Sequence, residues 1–404
     1  MRTPRLPALA CGLFLVGAVL ASLGIASDDP QAAAAPPEIV DRDDVVLPTP
    51  QPRPPAQPEP ATRRTATIVM GGDLLWHNTT WASAADDAPP GRAYDFGPMF
   101  AALRPLFRGA DVALCHEEVP FAGPDDPLQN FPVFAAPPQI APWIASMGFD
   151  ACTTASNHAV DQGFEGLKRT ADLLEANGVR HVGTFRTARE RREPVILTTA
   201  EGVRVGLVAG TYSLNGFPLP EGREWSVSMW DARNLLGQAR RARQAGADIV
   251  VVHLHGGWEY DHLPNGDQVA LVEEVTASPD VDLVLGEHAH VVQPITRVNG
   301  TWVVYGMGNM VAQQEPSRPR TYEGITVSFT FSERPETERG WVVSEAAYVP
   351  TYWNQYAGGR PIRIQRVAQA LARGRGDLSR LREARAEIRA AVGGLGWPPG
   401  LVER

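Results

Sequence analysis

Lysine is almost absent: among 404 residues only Lys168 occurs, inside a helix-like run well away from any glycine-rich turn. That excludes a G-x-x-x-x-G-K-[ST] phosphate loop and argues against lysine Schiff-base chemistry. Cysteine is nearly as scarce, with Cys11, Cys115 and Cys152 alone, too few for a thiolate zinc site. There is no G-x-S-x-G elbow, and Ser156 before Asn157 reads as a turn residue, not a nucleophile. No internal repeat is present. Positive charge is also in deficit, 37 Lys+Arg against 46 Asp+Glu for a formal charge of −9. A partner held mainly through phosphate charge, such as nucleic acid, is therefore not expected. With 44% hydrophobic and 21% charged positions, most of the chain has globular composition.

One long apolar run exists, residues 8–26, preceded by Arg2 and Arg5 and ended by Asp28 and Asp29. This is the profile of a signal peptide or an N-terminal membrane anchor, and residues 1–35 are assigned to it, with cleavage and anchoring both open. Either way the remainder is expected outside the cytoplasm, membrane-anchored or secreted. Residues 36–65 are dense in proline and read as an extended linker. A folded domain over 66–360 and a helical tail over 361–404 follow. Cys115 and Cys152 lie in strand-like segments and could pair in an oxidising compartment or stay free.

Strand-length apolar runs alternate with helix-period stretches. Residues 67–70, 112–115, 151–154, 203–209, 249–254 and 281–285 read as buried strands. Residues 99–108, 139–147, 163–177, 231–244 and 268–276 read as helices, two of them closed by glycine at Gly178 and Gly246. The pattern predicts an α/β protein with a largely parallel core. Strands at 302–305, 325–331 and 342–348 suggest hairpins packed on it as an antiparallel layer, and 378–392 a surface helix.

Polar residues gather where the strands end, which is where open α/β sheets do their chemistry. The segments are Gly71 to His77, Cys115-His116-Glu117-Glu118, Ser156-Asn157-His158, His253 to Tyr260, and Gly286-Glu287-His288-Ala289-His290, and they hold seven of the nine histidines. A single strand-end Asp or His is usually a cap or a hydrogen-bonded core residue; five such ends on one edge build a concave polar site. His288 and His290, two apart, share a face if extended and could reach two adjacent ions. Of His253 and His255, the second is the better ligand candidate because Gly256-Gly257 lets backbone approach closely. Imidazoles, carboxylates and an amide together suit Mn, Fe or Zn.

These segments resemble the CapA family of poly-γ-glutamate capsule synthesis proteins, itself similar to calcineurin-like metallophosphoesterases. The resemblance spans residues 67–311 and also includes Asn215-Gly216, Glu259-Tyr260, Val291-Val292-Gln293-Pro294 and Gly308-Asn309. It implies a four-layer αββα sandwich holding two divalent metal ions. It makes Asp73 and His290 ligands of one ion, Glu118 the bridge, Asn157, His255 and His288 ligands of the second, and His158 the general acid or transition-state stabiliser. His77 is a further ligand candidate, although the phosphoesterase pattern has its histidine two residues after the aspartate, where this chain has Leu75. Glu117 competes with Glu118 for the bridge, and Glu287 stands where family members often carry histidine. Glu259, Tyr260 and Asn215 are candidate substrate contacts.

Three functions are compatible with this reading. The first is an exported protein of capsule or poly-γ-glutamate synthesis or export, with a dinuclear hydrolase-type site and an anionic extracellular polymer as partner. The second is a secreted metal-dependent phosphoesterase acting on a nucleotide, lipid or cell-wall phosphate. The third is a non-catalytic partner in a polymer-export complex; a membrane polymer-synthesis complex is a candidate partner.

Overall fold

A computed structural model describes residues 63–404 apart from position 338. The apolar leader and nearly all of the proline-rich linker lie outside the described residues. Along the chain the elements are β1 (Thr65–Leu74), α1 (Asn78–Asp86), α2 (Arg104–Arg108), β2 (Val112–Glu117), α3 (Ile140–Met147), β3 (Ala151–Thr153), α4 (Gly163–Ala176) and β4 (Arg180–Val182). Then follow β5 (Val195–Thr198), β6 (Arg204–Thr211), α5 (Ala232–Gln244), β7 (Ile249–His255), α6 (Gly266–Thr276), β8 (Leu283–Glu287), β9 (Ile295–Val298), β10 (Thr301–Val304) and β11 (Asn309–Val311). The last are β12 (Glu323–Glu333), β13 (Trp341–Trp353), β14 (Ile364–Arg366), α7 (Val367–Ala372), α8 (Leu378–Val392) and β15 (Leu401–Glu403).

The described strands form two mixed sheets. One runs β14-β13-β12-β1-β2-β3-β4, with β11 also on β1 and β15 on β13; the other runs β5-β6-β7-β8-β10-β9. Strands β1 to β4 are mutually parallel, as are β6, β7, β8 and β10.

Three apolar clusters order the layers. Ile68, Met70, Leu114 and Phe329 of the first sheet meet Val205, Val251, Leu283 and Leu285 of the second. On the far face of the first sheet, Val69, Ala113 and Cys115 pack on Trp81 of α1, Phe107 of α2, Trp143 and Ile144 of α3 and Leu174 of α4. On the far face of the second, Val250, Val252 and Val284 pack on Leu235 and Ala239 of α5 and Leu271 and Val275 of α6. The order is therefore helices, sheet, sheet, helices. Alternate residues of one strand serve different clusters, which is why runs such as Ile249-Val250-Val251-Val252 are apolar without alternation.

Three expectations change. Strands β12 and β13 are not a separate layer: β12 pairs antiparallel along β1 from Thr65↔Ser332 to Gly71↔Thr326, satisfying an edge that would otherwise present unpaired N–H and C=O groups. β10 joins the second sheet parallel to β8. The segment holding α1, to which the sequence pattern assigns no element, has a buried face of Thr80, Trp81, Ser83 and Ala84 that is half polar and so gives little periodic signal. The helix expected over 99–108 begins only at Arg104, where Pro105 takes an early helical position suited to its missing N–H.

The C-terminal residues continue the same compact unit. Helix α8 buries Leu381, Ala384, Ile388 and Val392, and its Arg380 pairs with the buried Glu323 of β12, which Arg320 also holds at 2.7 Å. No described helix is long and apolar enough to cross a membrane.

Candidate metal centre

The five polar segments meet at the carboxyl ends of β1, β2, β3, β7 and β8. Asp73 sits at the end of β1 because Gly72 lets that strand touch β11. A Cβ on Gly72 would lie 1.8 Å from the Gly308 carbonyl oxygen, and the Asp73 N–H donates to that same oxygen at 3.0 Å. Glu117 and Glu118 point apart, as neighbours leaving a strand do. Glu117 Oε2 accepts from Trp76 Nε1 at 2.9 Å on the helix side. Glu118 Oε1 lies 3.8 Å from His255 Nε2 and 3.9 Å from His290 Nε2, so Glu118 is the carboxylate that faces the site.

Asn157 Oδ1 lies 2.8 Å from His255 Nε2, and its amide donates to Asn215 Oδ1 at 3.1 Å. His255 Nδ1 is 3.8 Å from Asp73 Oδ1, and His290 Nδ1 is 3.2 Å from Asp73 Oδ2. The ring centroids of His255 and His288 are 4.9 Å apart, those of His288 and His290 5.8 Å. One ligand-type atom from each of Asp73, Glu118 and His290 lies within 4.8 Å of the others; the same holds for Glu259, His288 and His290, and for Asp73, His116 and His255.

The loop after β8 is not extended. His288 and His290 have φ of 96° and 57°, so their common orientation comes from left-handed backbone and not from strand alternation. Tyr260 and Asn215 also have positive φ, and Asn299 is the other such non-glycine residue among those described. Four of the five therefore border this site, where strained conformations are held by their surroundings. Gly256 serves a different purpose from the one its position suggested. A Cβ there would lie 1.9 Å from the Trp230 ring, so the glycine accommodates Trp230. His255 reaches the centre and His253 does not, because His253 lies one pleat deeper and stacks on His116 at 4.7 Å.

His77 stands apart from the ligand groups. It precedes α1, its Nδ1 accepts from the Gln313 N–H at 3.1 Å, and its ring meets Phe134 edge-on at 5.1 Å. With His158, Glu259, Tyr260, His290 and Arg318 it lines an open cavity of about 420 Å³ above the centre. His158 Nδ1 donates to Asp161 Oδ2 at 2.8 Å, and that oxygen also takes the Phe134 N–H at 2.7 Å. Sequence reading missed Asp161; the spacing of three from His158 within Asn157-His158-Ala159-Val160-Asp161 was its signal. Asn215 Nδ2 lies 3.4 Å from both ring nitrogens of His158. Ser156 is a turn residue, donating to the Glu118 carbonyl and accepting the His158 N–H at 3.1 Å.

Burial governs the electrostatics. It pushes the Glu118 carboxyl well up, helped by Asp73, and does the same to Glu287, helped by Asp73 and Glu118. It holds His255 and His288 well below the usual imidazole range, with neighbouring imidazoles adding to the effect, leaving both neutral. For His290 burial acts downward but is outweighed by Glu118 and Asp73, which lift it to about 10.

Residues 67–314 match the family model described as bacterial capsule synthesis protein PGA_cap. The chain belongs to that family. It is 30% identical over 178 residues to the PGA biosynthesis protein CapA of Bacillus subtilis, covering 44% of this chain and 46% of the relative. It is 28% identical over 181 residues to the capsule biosynthesis protein CapA of Bacillus anthracis, covering 44% and 43%. The chain thus spans about half the length of the curated relatives it matches. Among solved structures it is similar to the calcineurin-like phosphoesterase YfkN of Bacillus subtilis, with TM-score 0.45 and 15% identity over 80% of this chain and 100% of that one.

The residues of this PGA_cap protein fit divalent cations. All four carboxylate oxygens of Asp73 and Glu118 are buried with no hydrogen-bond partner, as are His255 Nδ1 and His288 Nδ1. Two buried carboxylates without donors cost several kcal/mol each unless a cation neutralises them. Neutral imidazoles with free lone pairs are the form that metals bind. A separate group, Glu175, His181 and Glu190, already holds a cation of its own, because Arg186 donates to Glu175 at 2.7 Å and to Glu190 at 2.5 Å.

Proposed function

We propose that this PGA_cap protein is an extracytoplasmic, metal-dependent hydrolase-type protein acting on an anionic extracellular polymer of the capsule or poly-γ-glutamate class. The observation that carries the reading is the set of partnerless buried atoms on Asp73, Glu118, His255 and His288 beneath an open cavity lined by His158. Asp73, Glu118, Asn157, His255, His288 and His290 would hold two ions of the Mn, Fe or Zn type, in the manner of the metallophosphoesterase-like αββα fold. Such ions lower the pKa of a bound water and polarise the group under attack.

The remaining roles belong to the chain itself. Asp161 accepts the Nδ1 proton of His158 and fixes its ring, which leaves the other nitrogen to give a proton to a leaving group. Asn215 lies against the His158 ring and takes the Asn157 amide. Glu259 and Tyr260 border the entrance. Export is supported by the apolar run at 8–26 and by the Cys115–Cys152 disulfide, a bond that persists in oxidising compartments; anchoring and secretion are separated by membrane fractionation after a high-salt wash.

The His158–Asp161 pair beside a carboxylate and imidazole cluster also favours a second reading, hydrolysis of a nucleotide, lipid or cell-wall phosphate ester. One experiment separates the two: metal analysis of the purified protein with a panel of polyglutamate, phosphomonoesters and phosphodiesters. Two ions per chain with polyglutamate cleavage support the first reading, and phosphate release supports the second. Bound metal with no turnover on any substrate points to a non-catalytic role in a polymer-export complex. No bound metal at saturating supply overturns both catalytic readings.

A further inference from the structure

His116, which brings a ligand-type atom close to those of Asp73 and His255, lies outside the ligand set of the dinuclear reading and is fully buried against Asp73. Its Nδ1 lies 2.8 Å from Thr153 Oγ1, and that hydroxyl has an acceptor of its own in the Cys115 carbonyl oxygen at 3.4 Å. The hydroxyl proton being committed there, Thr153 accepts from His116 Nδ1–H, and Nε2 carries the lone pair. That lone pair faces Asp73 Oδ1 at 3.9 Å, and His255 Nδ1 faces the same oxygen at 3.8 Å. None of the three atoms has a hydrogen-bond partner, and all three residues are fully buried.

Three acceptors turned toward one another in a dry interior repel unless something positive lies between them. The separations are too long for hydrogen bonds. They suit two ligands of a common ion, since bonds of roughly 2.0–2.2 Å to nitrogen and oxygen place neighbouring ligand atoms about 3–4 Å apart. The register supports the arrangement: Cys115 is opposite Cys152 and His116 opposite Thr153, so the disulfide fastens β2 to β3 one residue before the pair that sets the His116 tautomer. Fixing a ligand imidazole through its other N–H is how metal histidines are oriented.

We infer that His116 is a metal ligand, binding through Nε2 the ion that Asp73 also binds, with Thr153 as the residue that orients it. This rests on the dinuclear reading above, and the test separates the two. The full-length protein is stripped with a chelator and titrated with Zn²⁺ and Co²⁺, in wild-type form and as His116→Gln. The expected result is two ions in the wild type, and in the variant one ion weakened by at least about tenfold with an altered Co²⁺ absorption spectrum. In parallel, ¹⁵N-histidine NMR of the wild type should show His116 as the Nδ1–H tautomer without metal and a displaced Nε2 resonance with Zn²⁺. Wild type and variant binding the same number of ions with equal affinity and the same spectrum would overturn the assignment while leaving the dinuclear reading intact. Absence of metal from the wild type overturns both. Should His116→Gln fail to fold, the NMR arm decides alone: an Nε2 resonance unmoved at saturating Zn²⁺ refutes the assignment, and a displaced one supports it.

Discussion

His290 donates its Nδ1 proton to Asn309 Oδ1 at 2.9 Å, and the Asn309 amide returns to the His290 carbonyl at 3.3 Å and the Thr321 carbonyl at 3.0 Å. This clasp joins the loop after β8 to β11 and leaves His290 Nε2 aimed at Glu118. Asn309→Leu keeps the volume but removes the clasp. Metal affinity by calorimetry should fall about 10–100-fold, with both ions still taken up at saturation; unchanged affinity would show that the loop positions His290 without help.

Metal uptake should release protons. Glu118 and Asp73 raise His290 to about 10 against the pull of burial, so in the metal-free protein this imidazole is charged at neutral pH. The charged form contributes stability that is fully present below about pH 6.5 and lost as pH rises through about 10. An incoming ion must displace that proton, so affinity should rise with pH. Calorimetry in buffers of different ionisation enthalpy should report net proton release, and a buffer-independent enthalpy would exclude it.

Glu118→Gln should separate stability from function. Burial and Asp73 raise the Glu118 pKa, so the metal-free protein loses stability as pH rises above the unfolded carboxylate range and through the folded value. Glutamine removes that dependence. The metal-free variant should melt at a higher temperature than metal-free wild type at pH 8, yet gain less from added metal, whereas wild type gains about 2.7 kcal/mol at a hundredfold excess over Kd. Equal melting temperatures without metal would show that the charge on His290 offsets the burial of Glu118.

Asp161→Asn should lower turnover about 10²–10⁴-fold on whichever substrate the panel identifies, the range expected for general acid catalysis. Asp161 touches His158 and the Phe134 N–H and none of the groups of potential ligands. Metal content should therefore stay at the wild-type value, and a variant that loses its metal would assign Asp161 a structural role instead.

The Cys115–Cys152 bond closes a sequence separation of 37 residues between adjacent strands of the site. Replacing both cysteines by alanine should cost about 4 kcal/mol by the loop-entropy relation, read as a lowered denaturation midpoint in urea. A midpoint within error of wild type would show that packing of β2 on β3 needs no cross-link.

Much of the architecture was written in local pattern. Runs such as Ile249-Val250-Val251-Val252 announce strands covered on both faces, and the spacing over Leu378–Val392 announces the amphipathic helix found there. The clustering of seven histidines with Asp73, Glu118 and Asn157 at strand ends marked the site, because a parallel sheet delivers all its carboxyl ends to one edge. Other choices could not be read from the order of residues. Glu117 and Glu118 are chemically equivalent neighbours until the direction of each side chain assigns one to Trp76 and the other to the centre. His116 and His253 look like core histidines until pairing with β3 brings Thr153 to one and leaves the other behind it. The pairing of β12 with β1 joins segments some 250 residues apart, and such partners share no local signal. Composition and periodicity thus determined which residues are buried and which strand ends carry donors. Only the tertiary structure decided which lone pairs face one another without a proton between them, since that depends on register, loop conformation and exclusion of water.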